Sequence, residues 1–311
     1  MTQNLKPHQS GQAPCNGIEI YYEAFGNPKN PALLLIMGLD SQCVMWSEIL
    51  LTPLVKADYY VIRFDNRDIG LSTWINENWN KRQPYTLETM ARDSVELLDF
   101  LNIRQAHIMG VSMGGMVAQR IGISYPERVL TLTLIMSSGY ALDLSFARNV
   151  KEKVFRLFLP FLIKNFSIKS KYFLNEVSVA NYLKLYRFLS GKRFRFNEDF
   201  FREVFTHTIE VRKGQNPKAR FQQFCAVVAS GSRLNELHKI KVPTLVMHGT
   251  ADPLVPVGHS KKLASLIPQA KLILMEGIGH ELPIGVLPEI LPEFLALFRK
   301  VNFSKVTDNL E

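Results

Sequence analysis

The chain has 311 residues, 47% hydrophobic and 21% charged, a composition that suits a globular protein with ample core material. Its three cysteines, Cys15, Cys43 and Cys225, are odd in number and far apart, which excludes a disulfide framework and a cysteine metal cluster. The net charge of +9 is local: Phe146 to Arg195 holds twelve Lys/Arg against two Glu and the remainder is near neutral, so without a recognised motif nucleic acid is not the expected partner.

In chain order, Met1 to Asn16 is polar and lacks an apolar h-region, and no apolar run is long enough to span a membrane, so a cytoplasmic soluble protein is expected. Gly17 to Phe25 alternates like a strand and ends at the turn Gly26-Asn-Pro. Ala32 to Met37 is a continuous apolar run, the pattern of a strand covered on both faces. Trp46 to Lys56 reads as a short helix and Tyr59 to Phe64 as the next buried strand, followed by the polar cluster Asp65 to Ser72. Thr86 to Leu101 is amphipathic, with Leu87, Met90, Ala91, Ser94, Leu97, Leu98 and Leu101 at three- and four-residue steps and Thr86 as N-cap. Ala106 to Val111 and Val129 to Met136 are further buried strands. After Ser137-Ser-Gly139 the strand runs stop, and residues 140–237 become helical and rich in Phe, Lys and Arg. Strand–helix alternation resumes at Val242 to Met247, Val257 to Ile267, Lys271 to Met275 and Glu289 to Val301. Such alternation predicts an α/β fold with a mostly parallel sheet, a core of residues 1–139 and 238–311, and a helical cap over 140–237.

Gly110-Val-Ser112-Met-Gly114 joins a buried strand to a helix, the pattern of a nucleophile elbow. Glycines suit both flanks because strand and helix backbones must approach closely there. Two later loops, each following a strand, carry Asp252 and His280. In an open parallel sheet such carboxyl-end loops share one edge, where ligand sites form. The set predicts acyl transfer: His280 takes the Ser112 proton during attack, Asp252 fixes the imidazole, and the Met113 N–H stabilises the oxyanion. Each residue also has a plainer reading, Ser112 as a helix N-cap and Asp252 as a turn residue before Pro253. Glu276 is the rival acid, and His248 and His259 are the rival histidines. Asp65, Arg67 and Asp68 suggest a metal site or second acid pair as a disfavoured reading, and Trp46 is read as packing in preference to a substrate clamp.

Residues 17–302 resemble the α/β-hydrolase superfamily, whose order Ser…Asp…His they share. Met37-Gly-Leu39, Phe64-Asp-Asn-Arg-Asp-Ile-Gly-Leu-Ser72 and Gly110-Val-Ser-Met-Gly-Gly115 resemble the bacterial esterase group that includes aclacinomycin methylesterase. The resemblance implies the α/β-hydrolase fold, a second oxyanion N–H at Leu39, and a loop at Asp65–Asp68 that braces the site through Arg–carboxylate pairing. Met37-Gly38 replaces the His-Gly common in relatives, which removes any hydrogen bond from that histidine but keeps the backbone donor. Carboxylic ester hydrolysis is the expected activity, without cofactor or metal, on a small-molecule ester that is apolar or amphiphilic. A perhydrolase or haloperoxidase-type reaction, aminopeptidase chemistry and a non-catalytic ligand-binding role on the same fold are the alternatives. The basic, Phe-rich segment, above all Val154 to Ile163, suggests a lid that also touches anionic membrane surfaces.

Overall fold

Strands buried at every position need cover on both faces, and Ala32–Ile36 (β3), Tyr60–Phe64 (β4) and Val129–Ile135 (β6) are such strands. With Gln9–Cys15 (β1), Ile18–Phe25 (β2), Ala106–Val111 (β5), Thr244–Gly249 (β7) and Ala270–Met275 (β8), they form an eight-stranded sheet ordered β1-β2-β4-β3-β5-β6-β7-β8. The computed structural model describes residues 5–80, 82–143 and 174–301. From β4 to β8 the pairing is parallel, while β1 and β2 are antiparallel additions at one edge. β1 lies in the N-terminal segment that reads as merely polar. Only Ala13 and Cys15 of its side chains are buried, so its signal is the weak one of an edge strand paired along its length with β2.

Helices cover both faces. Glu48–Lys56 (α1) and Leu287–Phe298 (α8, named in chain order) pack on one, with Leu33, Leu35, Val61, Met109 and Met247 beneath them. Leu87–Phe100 (α2) and Met113–Ser124 (α3) pack on the other, over Leu34, Ile36, Ile62, Ile108 and Leu132. The division follows the period of two along each strand, which sends alternate side chains to opposite faces. α2 starts at the expected Thr86 cap, with Thr89 returning a side-chain bond to the cap backbone.

Between β6 and β7 lie Leu174–Leu189 (α4), Glu198–Thr206 (α5), a π-helical turn at His207–Val211 and Ala219–Ala229 (α6); Gly258–Leu266 (α7) follows β7. Helical character between β6 and β7 therefore matches the sequence reading across the described residues. Val154–Ile163 and Phe146, Phe155, Phe158, Phe161, Phe166 and Phe173 lie outside the described residues. Phe196, Phe200, Phe201 and Phe205 gather with Tyr182 and Leu183 into a separate small core. No helix among the described residues is long and apolar enough to cross a membrane.

A buried ionic network ties this helical segment to the sheet. Arg212, just beyond the π-helical turn, places Nη1 3.0 Å from Glu23 Oε1, Nη2 2.8 Å from Asp65 Oδ2 and Nε 2.9 Å from Gln42 Oε1. Arg63 Nε donates to the other Glu23 oxygen at 2.7 Å. Burial opposes ionisation of Glu23, but Arg63 and Arg212 outweigh it and lower the carboxyl below its ordinary value. Removing the cation leaves the buried Asp65 carboxylate without its cation and Glu23 with Arg63 alone, so Arg212→Ala should cost about 3–5 kcal/mol in urea unfolding; a loss below about 0.5 kcal/mol would contradict the network's role.

Candidate active site

The order places β3 between β4 and β5, so the chain's crossovers diverge there and leave a crevice at the carboxyl edge. Loops after β3, β5, β7 and β8 open onto that edge and carry Leu39, Ser112, Asp252 and His280 respectively. Ser112, Leu39 and His280 line one cavity of about 180 Å³, with Tyr182, Tyr186, Phe200 and Phe201 of α4 and α5 on its far wall.

Ser112 has φ +53° and ψ −117°, a conformation L-residues rarely adopt, and its side chain makes no N-cap hydrogen bond to α3. The plainer N-cap reading therefore does not describe it. The turn is held by steric demand: a Cβ on Gly110 would strike the Gly114 carbonyl, and one on Gly114 would strike the Ile36 carbonyl. Ser112 N–H donates to Ile135 O at 2.8 Å, which carries the β5–β6 ladder one residue into the turn. Ser137 Oγ donates to Ser112 O, also at 2.8 Å.

His280 Nδ1 lies 2.6 Å from Asp252 Oδ2, and the Asp252 side chain is fully buried. Asp252 Oδ1 accepts from the N–H groups of Leu254 and Val255, both at 2.8 Å. The turn before Pro253 thus aims the carboxylate instead of merely using it as a turn former. Burial opposes the charge on Asp252, but the positive charge of His280 and hydrogen bonds from His248 and His280 outweigh it. The carboxyl is held well below the ordinary range, so it stays an anion behind the imidazole. Glu276, the rival acid, is exposed.

His248 has a role the sequence does not disclose. Its Nε2 lies 2.8 Å from Val255 O and 3.2 Å from Asp252 Oδ2. A carbonyl only accepts, so Nε2 carries the proton and faces the Asp252 carboxylate as a donor. Ser260 Oγ, 2.6 Å from Nδ1, supports the ring from the other side. The spacing His248-Gly-Thr-Ala-Asp252 was the available signal, but it does not show that the loop folds back onto its own histidine. His259 lies in α7, outside this set.

Leu39 and Met113 supply the two N–H groups assigned to the oxyanion. Among the described residues neither is bonded to a protein acceptor. A Cβ built on Gly38 would lie 3.3 Å from Ser112 Cβ, so the β3 loop and the elbow are in van der Waals contact. The bracing expected of a family histidine comes from elsewhere. Asn66 Nδ2 donates to Met37 O at 3.0 Å, Asp40 N–H to Gln223 Oε1 at 2.8 Å, and Gln215 Nε2 to Asp40 O at 2.8 Å. Arg220 of α6 forms an ion pair with the Asp40 carboxylate.

Arg–carboxylate pairing in the Asp65–Asp68 loop takes a different form from the expected one. Arg67 pairs with Asp93 of α2 through two bonds, its Nε 2.6 Å from Oδ2, while Asp65 accepts from Cys43 N–H and from Arg212. The loop's own charges thus reach to distant elements, which prevents two carboxylates from facing each other unneutralised. No group of three or more His, Cys, Asp or Glu that could hold a metal occurs among the described residues. Trp46 is 3% exposed and packs in the core beneath α1, yet it also lines the cavity.

A family model described as alpha/beta hydrolase fold matches residues 31–285. The chain is 28% identical over 278 residues to rhodomycin D methylesterase of Streptomyces peucetius, covering 86% of this chain and 91% of that protein. It is also 28% identical over 258 residues to a poly(3-hydroxyalkanoate) depolymerase of Ectopseudomonas oleovorans, covering 82% and 80%. The structure of a thermophilic esterase from Thermogutta terrifontis superposes with a TM-score of 0.71 at 20% identity, covering 94% of this chain and 98% of that one, a likeness of fold.

The depressed Asp252 carboxyl fixes a sign for acid stability. Its ordinary value is 3.8, so its stabilising contribution is complete above that value and is lost as pH falls below it. In urea unfolding between about pH 6 and pH 3, the stability gap between wild type and Asp252→Asn should narrow toward acid. A gap that is constant or widens contradicts the assignment.

Proposed function

The chain belongs to the α/β-hydrolase family, and from that membership we propose that it hydrolyses carboxylic esters through an acyl-enzyme on Ser112. The observation that carries the proposal is the short His280–Asp252 bond behind a cavity that also opens onto Ser112 in its strained turn. The rhodomycin D methylesterase and the poly(3-hydroxyalkanoate) depolymerase among its relatives support the ester reading.

Each group has one task. Ser112 Oγ attacks the acyl carbon while His280 Nε2 takes its proton, and Asp252 keeps the Nδ1–H tautomer and stabilises the resulting imidazolium. The N–H groups of Leu39 and Met113 hold the oxygen that becomes negative, and losing one such donor would cost about 3–4 kcal/mol in the transition state. The imidazolium then protonates the leaving alkoxide. Water, deprotonated by the same ring, attacks the acyl-serine and releases the acid. His248 acts through Asp252 as a positioning residue. The helices between β6 and β7 serve as a cap whose aromatic inner wall receives the substrate, and residues 140–237 form that cap.

Activity-based labelling tests the nucleophile. A fluorophosphonate probe should label wild type but not Ser112→Ala, and His280→Ala should lower kcat on p-nitrophenyl butyrate by at least about 10³-fold. Equal labelling of Ser112→Ala, or a His280→Ala enzyme within about tenfold of wild type, would overturn the assignment.

A further inference from the structure

The cavity is more polar than an acyl or alkyl site requires. Beside the apolar side chains of Leu185, Leu189, Leu254 and Leu282 it is lined by Glu281, the residue after His280. Glu281 Oε1 accepts from Ser190 Oγ at 3.0 Å, and Oε2 accepts no hydrogen bond from any described residue. Among the described residues Glu281 also has no ion-pair partner, although Asp40 on the same cavity wall is matched to Arg220. Trp46 also lines the cavity, and its indole N–H is buried without a hydrogen-bond partner among the described residues. A purely apolar ligand would leave Glu281 Oε2 unsatisfied, at a cost that a hydrogen-bond donor on the ligand avoids.

We infer that Glu281 is a specificity-determining residue, and that the ester held in this cavity bears a primary ammonium group that donates to the Glu281 carboxylate. This rests on the reading of the cavity as an ester-hydrolase site. Aminopeptidase chemistry, one of the alternatives left open on the sequence, gains here an acid to receive a substrate amine. The scissile group is still read as an ester, because that reading comes from the family and the triad geometry.

Three features single out an ammonium. An unpaired carboxylate within an apolar wall attracts a cation more strongly than a neutral donor, because little solvent screens the charge. Ser190 already occupies Oε1, which leaves room for a point donor at Oε2 more than for a bidentate guanidinium. Burial pushes the Glu281 carboxyl up to about 7, with the Ser190 bond opposing it only in part. The acid therefore gains its charge at neutral pH, and a bound cation would pull that ionisation to lower pH.

Other charged and titratable groups face the same space. Tyr182 and Tyr186 of α4 are both raised by burial, Tyr186 to about 12, and remain neutral phenols across the physiological range. Asp40 and Arg220 form a pair, and His280 lies on the same loop as Glu281. Any effect these groups have on a cation is common to wild type and Glu281→Gln, so the comparison of the two isolates Glu281.

Calorimetric binding of propyl-, butyl-, pentyl- and hexylammonium, each against the alcohol of matching length, tests the inference without requiring turnover. At about pH 8.5 the best ammonium should bind wild type at least about tenfold more tightly than its alcohol. The preference should fall as pH is lowered through about 7, because protonation removes the charge on Glu281. It should collapse in Glu281→Gln, which retains shape and hydrogen-bonding capacity, and the bound ammonium should slow fluorophosphonate labelling of Ser112. A preference within about twofold of unity at every length, or one equal in Glu281→Gln, would overturn the inference. The wild-type pH series needs no variant to fold. If Ser112 labels but ammonium shows no preference, the inference fails alone. If Ser112 never labels while the Glu281-dependent preference holds, the ester-hydrolase reading fails and the ligand assignment stands.

Discussion

The site depends on one steric constraint, the close approach of strand β5 to helix α3 at Ser112. Gly110 and Gly114 have no room for a Cβ, and with both present the chain turns within a single residue at φ +53°. A wider turn would relieve the backbone but lower the hydroxyl into the sheet edge. The strain is held by what surrounds it: the Ser112 N–H bonded to Ile135 O and its carbonyl bonded to Ser137.

Around that turn, polar groups buried between sheet and cap do the positioning. Asp40 receives Arg220, Gln215 and the Tyr182 hydroxyl from the segment between β6 and β7 and returns its own N–H to Gln223, so the loop after β3 is held by that segment. Arg212 reaches past that loop to Glu23 and Asp65 on the sheet side. Buried ion pairs add little net stability compared with apolar packing, but removing one partner is costly, so such networks fix geometry more than they stabilise. These charges tie the segment between β6 and β7 to the loop after β3 and to the sheet.

Much of this was legible from residue order because it rests on local rules. Continuous apolar runs marked the buried parallel strands, Thr86 marked the start of α2, and Gly110-x-Ser112-x-Gly114 marked the sharp turn. Parallel topology then carries Asp252 and His280 to one edge without any need for their local sequence to say so. What escaped is non-local. β1 is visible only through its pairing with β2, and Arg67 is joined to Asp93 rather than to its neighbours. His248, a rival histidine on the sequence, lies next to last in β7, and its donor contact to Asp252 arises from the turn that the loop makes after Gly249. Glu281 carries no signal in the sequence, since its isolation from any described cation is a property of the assembled wall.

The central claim is that Ser112 carries the acyl group during turnover. Wild type mixed with p-nitrophenyl butyrate, quenched in acid within the first turnovers and digested, should yield the peptide containing Ser112 with one butyryl group added, preceded by a burst of one p-nitrophenol per active site. The adduct should vanish as the substrate is exhausted. Steady release of p-nitrophenol with that peptide unmodified at every time, or with the butyryl group on another residue, would contradict the account.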